Sequence, residues 1–332
     1  MNNNDNNSRK ILGLHHVTAL SSDAQENVDF YAGILGMRMV KKTINFDAPE
    51  VYHLYYGDRE GSPGTLMTFF PYPGIYRGRK GTGQMTVTSF SIAEGSMGYW
   101  IERLKRFGID HTSPQQRFGN EEFIYFEDGD GLGLELVATA SDRREGYTYG
   151  HIPEKHTIKG FYSVTLNQQR HERTSQFLTG KMDHLLLSEE NGRMRFSPSN
   201  GAGTLVDVLA MPDGQMGRSG SGTVHHVAFA TAGDDTQLEV RERLDSSGVH
   251  VTPVVDRQYF KSIYFREPGG VLFEVATNPP GMAIDEDIES LGEELKLPPW
   301  QESNREIIES NLQTIKFDRK KFADSSVTPV NR

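Results

Sequence analysis

The hydrophobic and polar positions of this 332-residue chain follow two different periods. Four stretches repeat apolar residues at a spacing of three to four, and they predict amphipathic helices over residues 24–35, 95–107, 172–179 and 236–247. Between them lie short apolar or alternating runs that end at Gly- or Pro-containing turns, which is typical of β-strands. The pattern therefore predicts an α+β fold in which each helix is followed by several strands.

The strand motifs occur twice along the chain. GLHHVT at residues 13–18 resembles GFYSVT at residues 160–165, an offset of 147 residues. GTLMTFFPYPG, which starts at Gly64, aligns with the later GTLVDVLAMPDG. A second pair interleaves with the first, because FIYFEDGDGLGLELVATA, which starts at Phe123, aligns with the later SIYFREPGGVLFEVATNP. Self-similarity of this kind predicts tandem copies of one structural unit.

We predict four βαβββ units, two in each half of the chain. The boundary between the halves is placed near His151, in the loop-like stretch EGYTYGHIPEKH. The predicted segments are a disordered leader at 1–10, an N-terminal domain of two units at 11–150, a C-terminal domain of two units at 151–281, and a helical C-terminal extension at 282–332. The extension is charged, contains Trp300 and is expected to pack over the outside of the molecule.

Composition narrows the chemistry and the setting. The chain contains no cysteine, so any metal must be bound by histidines and carboxylates. Its net charge of -10 argues against nucleic acid, whose phosphates require a basic surface. No stretch approaches the ~18 consecutive apolar residues of a membrane span. The polar start, MNNNDNNSRK, does not resemble a signal peptide, and we expect a cytoplasmic protein.

Two histidine pairs and one carboxylate are candidate metal ligands. His15 and His16 lie on the first predicted strand, and His225 and His226 lie on the matching strand of the fourth unit. Neighbouring side chains of a strand face opposite sides, so one histidine of each pair is expected to face the interior, and alternation does not say which. Glu274 lies in VLFEVAT, a strand otherwise apolar on both faces. Because an unpaired buried carboxylate is strongly unfavourable, Glu274 needs a cation nearby.

Three motifs, LHHVT, TVHHVAF and DRQYFKSIYFREPGGVLFEVAT, together resemble the vicinal oxygen chelate superfamily, over roughly residues 11–280. In that superfamily, paired βαβββ units form half-barrels, here called cups, that hold a metal. Within it, the motifs look like those of hydroquinone-type ring-cleaving dioxygenases. The resemblance implies that the second histidine of each pair is the ligand, so that His16, His226 and Glu274 would bind the metal.

The resemblance also implies a set of catalytic pocket residues, namely His15, Thr18, His225, Arg257 and Tyr264. Arg257 is permanently cationic and would hold an anionic oxygen of the substrate. Tyr264 would donate a hydrogen bond to a bound oxygen, and His225 would accept or return a proton near neutral pH. Other histidines are expected to be surface or structural residues; they are His53, His111, His151, His156, His171 and His184.

The repeat supplies an internal comparison, because each unit offers one position on its first strand and one on its last. The four pairs are His16 with Thr68, Val87 with Glu135, Ser163 with Asp207, and His226 with Glu274. One cup thus keeps two histidines and a carboxylate, whereas the other keeps no histidine. We predict one metal per chain and one lost site, in which Glu135 and Asp207 are structural.

Thr68 is informative because a four-ligand site of the glyoxalase kind would have Glu or Gln there, and threonine is a poor ligand. Three ligands with open positions are typical of non-haem Fe(II) oxygenases, although Zn or Mn could occupy the site in purified protein. We therefore expect an enzyme that uses O2 to cleave the ring of a small aromatic diol. The resemblance favours a substituted hydroquinone.

Other interpretations remain open, because a fold does not fix a function. They are a catechol extradiol dioxygenase, a glyoxalase-like metal-dependent isomerase, a thiol transferase acting on an antibiotic, and a metal-free protein that binds an aromatic drug. Metal content and O2 consumption separate these alternatives. A homodimer is the default expectation for the assembly.

Overall fold

The structure is a computed structural model that describes residues 9–324. Most of the predicted leader, residues 1–8, and the end of the predicted extension, residues 325–332, lie outside the described residues. Lys10, at the end of the predicted leader, donates its backbone N–H to Asp183 Oδ2 at 2.9 Å.

The described residues form four βαβββ units, as predicted. The first contains β1 (Gly13–Ser21), α1 (Ala24–Val28), β2 (Arg38–Asn45), β3 (Ala48–Gly57) and β4 (Leu66–Pro71). The second contains β5 (Gln84–Ala93), α2 (Met97–Arg106), β6 (Gln115–Arg117), β7 (Glu121–Glu127) and β8 (Gly133–Thr139). The third contains β9 (Gly160–Gln168), α3 (Glu172–Lys181), β10 (Leu185–Glu190), β11 (Arg193–Ser197) and β12 (Leu205–Ala210). The fourth contains β13 (Thr223–Thr231), α4 (Asp234–Asp245), β14 (Val255–Asp256), β15 (Phe260–Arg266) and β16 (Leu272–Pro280).

The helices agree with the hydrophobic spacing, with one difference. α2, α3 and α4 begin and end within two residues of the predicted bounds. In the first unit, α1 is capped by Asp23, whose Oδ1 accepts the backbone N–H of Glu26 at 2.8 Å, and it continues as a π-helical segment over Asp29–Ile34. The wider turn still buries Phe30 and Tyr31, so the apolar face that predicted the helix is kept.

Two eight-stranded sheets form the cups, and each combines units from opposite halves of the chain. The first cup has the strand order β14-β15-β16-β13-β1-β4-β3-β2, from the first and fourth units. The second cup has the order β10-β11-β12-β9-β5-β8-β7-β6, from the second and third units. At the middle of each sheet, the first strands of its two units pair antiparallel, β1 with β13 and β5 with β9. The division of the chain into two domains near His151 stays a prediction.

One apolar core connects the two sheets. It contains Val17 and Phe229 from the first cup, Phe90 and Leu166 from the second, and Trp100 from α2, all fully buried. The apolar sides of the central strands therefore meet the helices, and their other sides remain available for polar chemistry.

The C-terminal extension is helical, as predicted. The described part has 3₁₀ turns at Met282–Ile284, Ile288–Ser290, Pro299–Asn304 and Arg319–Phe322, and one α-helix, α5 (Arg305–Asn311). It runs along the outer edge of the first cup, where Trp300 contacts Phe46 with ring centroids 5.5 Å apart. Among residues 9–324, no helix has the length and apolar character to cross a membrane.

Candidate metal centre

A pair of β-bulges shapes the middle of the first cup. The ladder between β1 and β13 skips one residue in each strand, at His15 and at His225, and such a bulge re-aims a side chain. His15 Nδ1 consequently lies 2.9 Å from His16 Nδ1, and His225 Nδ1 lies 2.8 Å from His226 Nδ1. The expectation that one histidine of each pair faces the interior is wrong for the second pair, because both His225 and His226 line the central cavity.

The three predicted ligands converge on one point. His16 Nε2 lies 3.1 Å from His226 Nε2, and Glu274 Oε2 lies 3.3 Å from the first and 3.0 Å from the second. All three side chains are buried, and Glu274 Oε2 accepts no hydrogen bond from any residue in the described part of the chain. Ligands bound at about 2.1 Å and at right angles are about 3.0 Å apart, so the observed spacing fits one face of a metal coordination sphere.

Electrostatics favours the ligand forms of these groups. Burial raises the pKa of Glu274, but His16 and His226 outweigh burial and hold that pKa well below its usual range. Burial lowers the pKa of His226, which favours the neutral imidazole that a metal requires. The second oxygen of Glu274, Oε1, accepts a short hydrogen bond from Ser262 Oγ. The carboxylate is therefore ionised and fixed in orientation.

The neighbouring histidines orient the two ligand rings. A ligand that presents Nε2 to the centre carries its proton on Nδ1, so His16 donates to His15 and His226 donates to His225. Burial, and next the adjacent His16, lower the pKa of His15 to about 3. Burial, and next His226, lower the pKa of His225 to about 4. Both acceptors are therefore neutral at pH 7.

A cavity of about 220 Å³ opens beside the three ligands. Its walls include Phe46, Phe70 and Phe260, together with Arg257 and Tyr264 from the predicted pocket set. Arg257 Nε donates to the Tyr264 hydroxyl at 3.0 Å, and the guanidinium also lies over the tyrosine ring, 5.3 Å from its centroid. The cavity thus combines an aromatic wall with a cationic, hydrogen-bonding end.

The sequence profile of the glyoxalase/bleomycin resistance protein/dioxygenase superfamily matches residues 13–136 and 156–275. The chain belongs to this superfamily. The two matched segments correspond to the two halves of the repeat, and the three candidate ligands lie within them.

Individual members of the superfamily match over nearly the whole chain. MhqO of Bacillus subtilis, named as a ring-cleaving dioxygenase, is 42% identical over 305 residues, which cover 92% of this chain and 97% of the relative. The chlorohydroquinone/hydroquinone 1,2-dioxygenase of Sphingobium indicum is 35% identical over 303 residues, covering 88% of this chain and 93% of the relative. A crystal structure of a Bacillus subtilis protein described as a dioxygenase superposes with a TM-score of 0.89 at 41% identity, covering 93% of this chain and 99% of that chain.

A more distant solved structure resembles the chain in its fold. Glyoxalase I from Zea mays superposes with a TM-score of 0.58 at 17% identity, covering 80% of this chain and 92% of that chain.

Sequence reasoning missed several residues of the cavity wall, and His53 and Tyr55 are the two of these that form a hydrogen-bonded pair. His53, assigned there to the surface or to a structural role, lines the cavity together with Tyr55. Its Nδ1 lies 2.9 Å from the Tyr55 hydroxyl, and its Nε2 lies 2.9 Å from Thr68 Oγ1, which in turn lies 2.7 Å from Thr18 Oγ1. Thr18, from the predicted pocket set, is therefore connected to the cavity through this chain. The repeat carried the missing signal, because Tyr55 pairs with Thr68 as Tyr264 pairs with Glu274.

The second cup holds guanidinium groups near its two predicted carboxylates. Arg117 donates to the two oxygens of Glu135 at 3.1 and 2.8 Å, and Arg195 donates to the two oxygens of Asp207 at 2.7 and 2.8 Å. Both arginines also donate to Glu121. Cationic side chains thus surround the carboxylates of this cup, which differs from the ligand arrangement of the first. The loss of a second metal site stays a prediction.

Proposed function

We propose that the protein is a ring-cleaving dioxygenase that inserts both atoms of O2 into a hydroquinone-type aromatic diol, at an Fe(II) centre bound by His16, His226 and Glu274. The observation that carries this proposal is the three-ligand set beside an aromatic cavity, with Thr68 where a fourth ligand would stand. Relatives named as ring-cleaving and hydroquinone dioxygenases, at 35% to 42% identity over most of the chain, support the same reaction class.

The donor set fits Fe(II). Two imidazoles and one carboxylate would hold the metal and leave further positions for substrate and O2, which is the arrangement associated with non-haem Fe(II) oxygenases. When bound, Fe(II) would supply the path for electron transfer between a diol and O2 held side by side. Zn or Mn could occupy the same ligands in purified protein without being the working metal.

Arg257 and Tyr264 would stabilise negative charge on the substrate. Since Arg257 donates to the Tyr264 oxygen, the hydroxyl proton of Tyr264 is free to point toward a substrate oxygen. Burial raises the pKa of Tyr264, so this hydroxyl stays protonated at neutral pH. Arg257 is itself held by Asp47, whose Oδ2 lies 3.1 Å from one guanidinium nitrogen. The pair would therefore act as a preorganised donor for a phenolate oxygen.

His225 would be a further donor to the substrate. Its Nδ1 accepts from His226, so in the neutral ring the proton is on Nε2. Since His225 lines the cavity, this N–H is available to orient a diol. Proton transfer by His225 near neutral pH stays a prediction.

The cavity suits a single substituted ring. A volume of about 150 Å³ accommodates benzene, and the volume here is about 220 Å³. Phe46, Phe70 and Phe260 supply apolar surface for the ring faces and limit access of water.

The test is anaerobic reconstitution of the metal-free protein with Fe(II), followed by O2-electrode measurements with methylhydroquinone and catechol. His226→Ala is the ligand variant, and His111→Ala, outside the cavity, is its matched control. We expect iron-dependent O2 uptake with methylhydroquinone that His226→Ala abolishes and His111→Ala retains. Absence of uptake by the wild type with one iron bound would reject the dioxygenase. A cytoplasmic location and a homodimer stay predictions.

A further inference from the structure

The order of strands in the first cup is the same outward from its centre on both sides, and this correspondence matches Tyr55 with Tyr264. In the fourth unit, Tyr264 lies opposite Glu274 on the neighbouring strand. In the first unit, Tyr55 lies opposite Thr68 in the same register. The cavity therefore has a tyrosine hydroxyl on each of its two sides, one beside the carboxylate ligand and one beside the threonine that replaces a fourth ligand.

The residues beside the two tyrosines differ, because only one side of the cavity carries a carboxylate ligand. On the carboxylate side, Ser262 bonds Glu274. On the threonine side, His53 holds the position equivalent to Ser262, and its Nε2 bonds Thr68 Oγ1. A threonine side chain is too short to reach the centre as a glutamate would, so the centre is open on the side that carries Tyr55.

The imidazole of His53 is fixed in place between two rings. Its centroid lies 4.0 Å from that of Tyr55 and 4.3 Å from that of Phe70. Both of its nitrogens have hydrogen-bond partners, Tyr55 at Nδ1 and Thr68 at Nε2. Burial lowers the pKa of His53 well below its usual range, which keeps the ring neutral.

A neutral imidazole has one N–H, so the hydrogen bonds that join Thr68, His53 and Tyr55 can run in two possible directions. With the proton on Nδ1, His53 donates to the Tyr55 oxygen, and the Tyr55 O–H points into the cavity as a donor. With the proton on Nε2, His53 donates to Thr68, the Tyr55 O–H donates to His53, and the Tyr55 oxygen accepts from the cavity. Tyr55 can therefore bind either a phenolate or a neutral hydroxyl. Tyr264, which already accepts from Arg257, is biased toward donation.

We propose that Tyr55 is a further substrate-contacting residue, which hydrogen-bonds a hydroxyl oxygen of the aromatic diol on the open side of the centre. His53 is its positioning residue. Thr68 holds His53 by a hydrogen bond, and Thr18 in turn bonds Thr68. The proposal rests on the proposed function, since the diol is the ligand.

The test measures binding of methylhydroquinone to the Fe(II)-loaded protein by equilibrium dialysis without O2, together with metal content and O2 uptake. Tyr55→Phe removes the hydroxyl alone. Tyr56→Phe is the matched control, because the next residue of β3 points into the opposite core, where its hydroxyl bonds Asn27. His53→Phe keeps the ring stack and removes both hydrogen bonds, and His53→Asn keeps a polar group near Nδ1.

We expect Tyr55→Phe to weaken diol binding about tenfold at unchanged metal content, as for loss of one hydrogen bond. His53→Phe should weaken binding to a similar extent, His53→Asn should restore most of it, and the double variant should lose no more than either single one. Tyr56→Phe should bind like the wild type.

The outcomes separate the inference from the proposed function. If the wild type binds the diol and takes up O2 while Tyr55→Phe binds equally well, the role of Tyr55 is rejected and the dioxygenase stands. Equal and independent losses from Tyr55→Phe and His53→Phe, adding in the double variant, would reject His53 as its positioning residue. If the wild type neither binds the diol nor takes up O2, both are rejected.

Discussion

At the scale of single residues, the centre depends on side chains that do not touch the metal position. His15 and His225 stand at β-bulges, and the Nδ1 of each lies within hydrogen-bond distance of the Nδ1 of the candidate ligand next to it, from which it would accept. This fixes the proton on the Nδ1 of each ligand and leaves the Nε2 lone pair for a metal. The tautomers of His16 and His226 are thus set by the residues that immediately precede them, His15 and His225.

We expect His15→Phe to lower metal affinity by about 10- to 100-fold, the range seen when a group that orients a metal ligand is lost. Phenylalanine keeps the ring contact with Phe260, whose centroid lies 5.0 Å from that of His15, and removes the acceptor for His16. Titration of the metal-free protein with Zn²⁺ against a chelating dye measures the affinity. His111→Phe is the control, and an unchanged affinity in His15→Phe would contradict the orienting role.

Thr68→Glu tests the open face of the centre. Since Thr68 has the register position of Glu274, a glutamate there places a second carboxylate beside the three ligands. We expect the variant to keep its metal and to lose O2 uptake with methylhydroquinone by about 100-fold or more, because the position that a diol requires is taken. Metal content and thermal unfolding show whether the variant is folded. A metal-loaded Thr68→Glu protein with full O2 uptake would contradict an open position at Thr68.

At the scale of elements, the repeat in sequence was enough to predict the four units and three helices to within two residues. The family resemblance added the choice of His16, His226 and Glu274, which the structure brings together, and their role as ligands stays a prediction. Local signals could not reveal the bulges at His15 and His225, because alternation assumes a regular strand. They also could not show how β1 and β13 pair, since that pairing joins residues more than 200 positions apart, and only the two histidine pairs indicated that the first and fourth units share one cup. The cavity position of His53 was missed because its partners Thr68 and Phe70 lie on the neighbouring strand, and their register with β3 cannot be read from local signals.

The second cup shows what the same elements do without a histidine pair. Arg195 pairs in register with Asp207, as Tyr264 pairs with Glu274 in the first cup. Its guanidinium is buried and donates to Asp207 and Glu121. A buried guanidinium group therefore neutralises the carboxylates at the position where the first cup has its candidate ligands.

We expect Arg195→Met to destabilise the protein by about 3 kcal/mol or more, because it leaves buried carboxylates with fewer partners. Urea unfolding measures the change in the free energy of unfolding. Arg305→Met is the control, since Arg305 pairs with Glu302 and Glu309 at the surface and should contribute about 1 kcal/mol or less. A loss in Arg195→Met no larger than the control would contradict a structural role for the second cup's ion pairs.

Asp128, in the turn between β7 and β8, should make the stability of the protein depend on pH. Burial raises the pKa of Asp128 to about 6, although its carboxylate accepts from the Tyr31 hydroxyl at 2.9 Å and from the backbone N–H of Asp130 and Leu132. Because the folded state holds this proton more tightly than the unfolded state, the free energy of unfolding falls as pH rises from about 4 to about 6. The ionised group therefore opposes folding at pH 7.

We expect Asp128→Asn to be more stable than the wild type at pH 7, by about 2 kcal/mol at most for this partly buried group, and equal to it near pH 4. Urea unfolding of both proteins at pH 4, 5, 6 and 7 measures the difference. A difference that does not change with pH would show that the amide acts through its hydrogen bonds and not through charge.

At the scale of the whole molecule, the C-terminal extension packs against the wall of the first cup. Lys41 on β2 is fully buried, and its Nζ lies 2.6 Å from Asp285 Oδ1 and makes a short ion pair with Glu286. The Tyr259 hydroxyl also donates to Asp285, at 2.9 Å. Further along, Trp300 packs on Phe46, a wall residue of the cavity. The extension thus holds β2 through one buried cation and contacts the pocket wall through one aromatic pair.

Lys41→Met tests whether that packing is needed by the fold and by the pocket. Removing the cation leaves Glu286 buried without its partner, and we expect a loss of about 3–5 kcal/mol in the free energy of unfolding. The matched control is Lys105→Met, because Lys105 is exposed on α2, where it pairs with Glu102 at the surface, and its loss should cost about 1 kcal/mol or less. Urea unfolding gives both values, and limited proteolysis reports release of residues 282–324.

Because Tyr259 stands between Asp285 and Tyr55, with ring centroids of the two tyrosines 6.1 Å apart, a released extension should also weaken binding of methylhydroquinone. A Lys41→Met protein that unfolds like Lys105→Met and resists proteolysis would show that the extension is held by its other contacts.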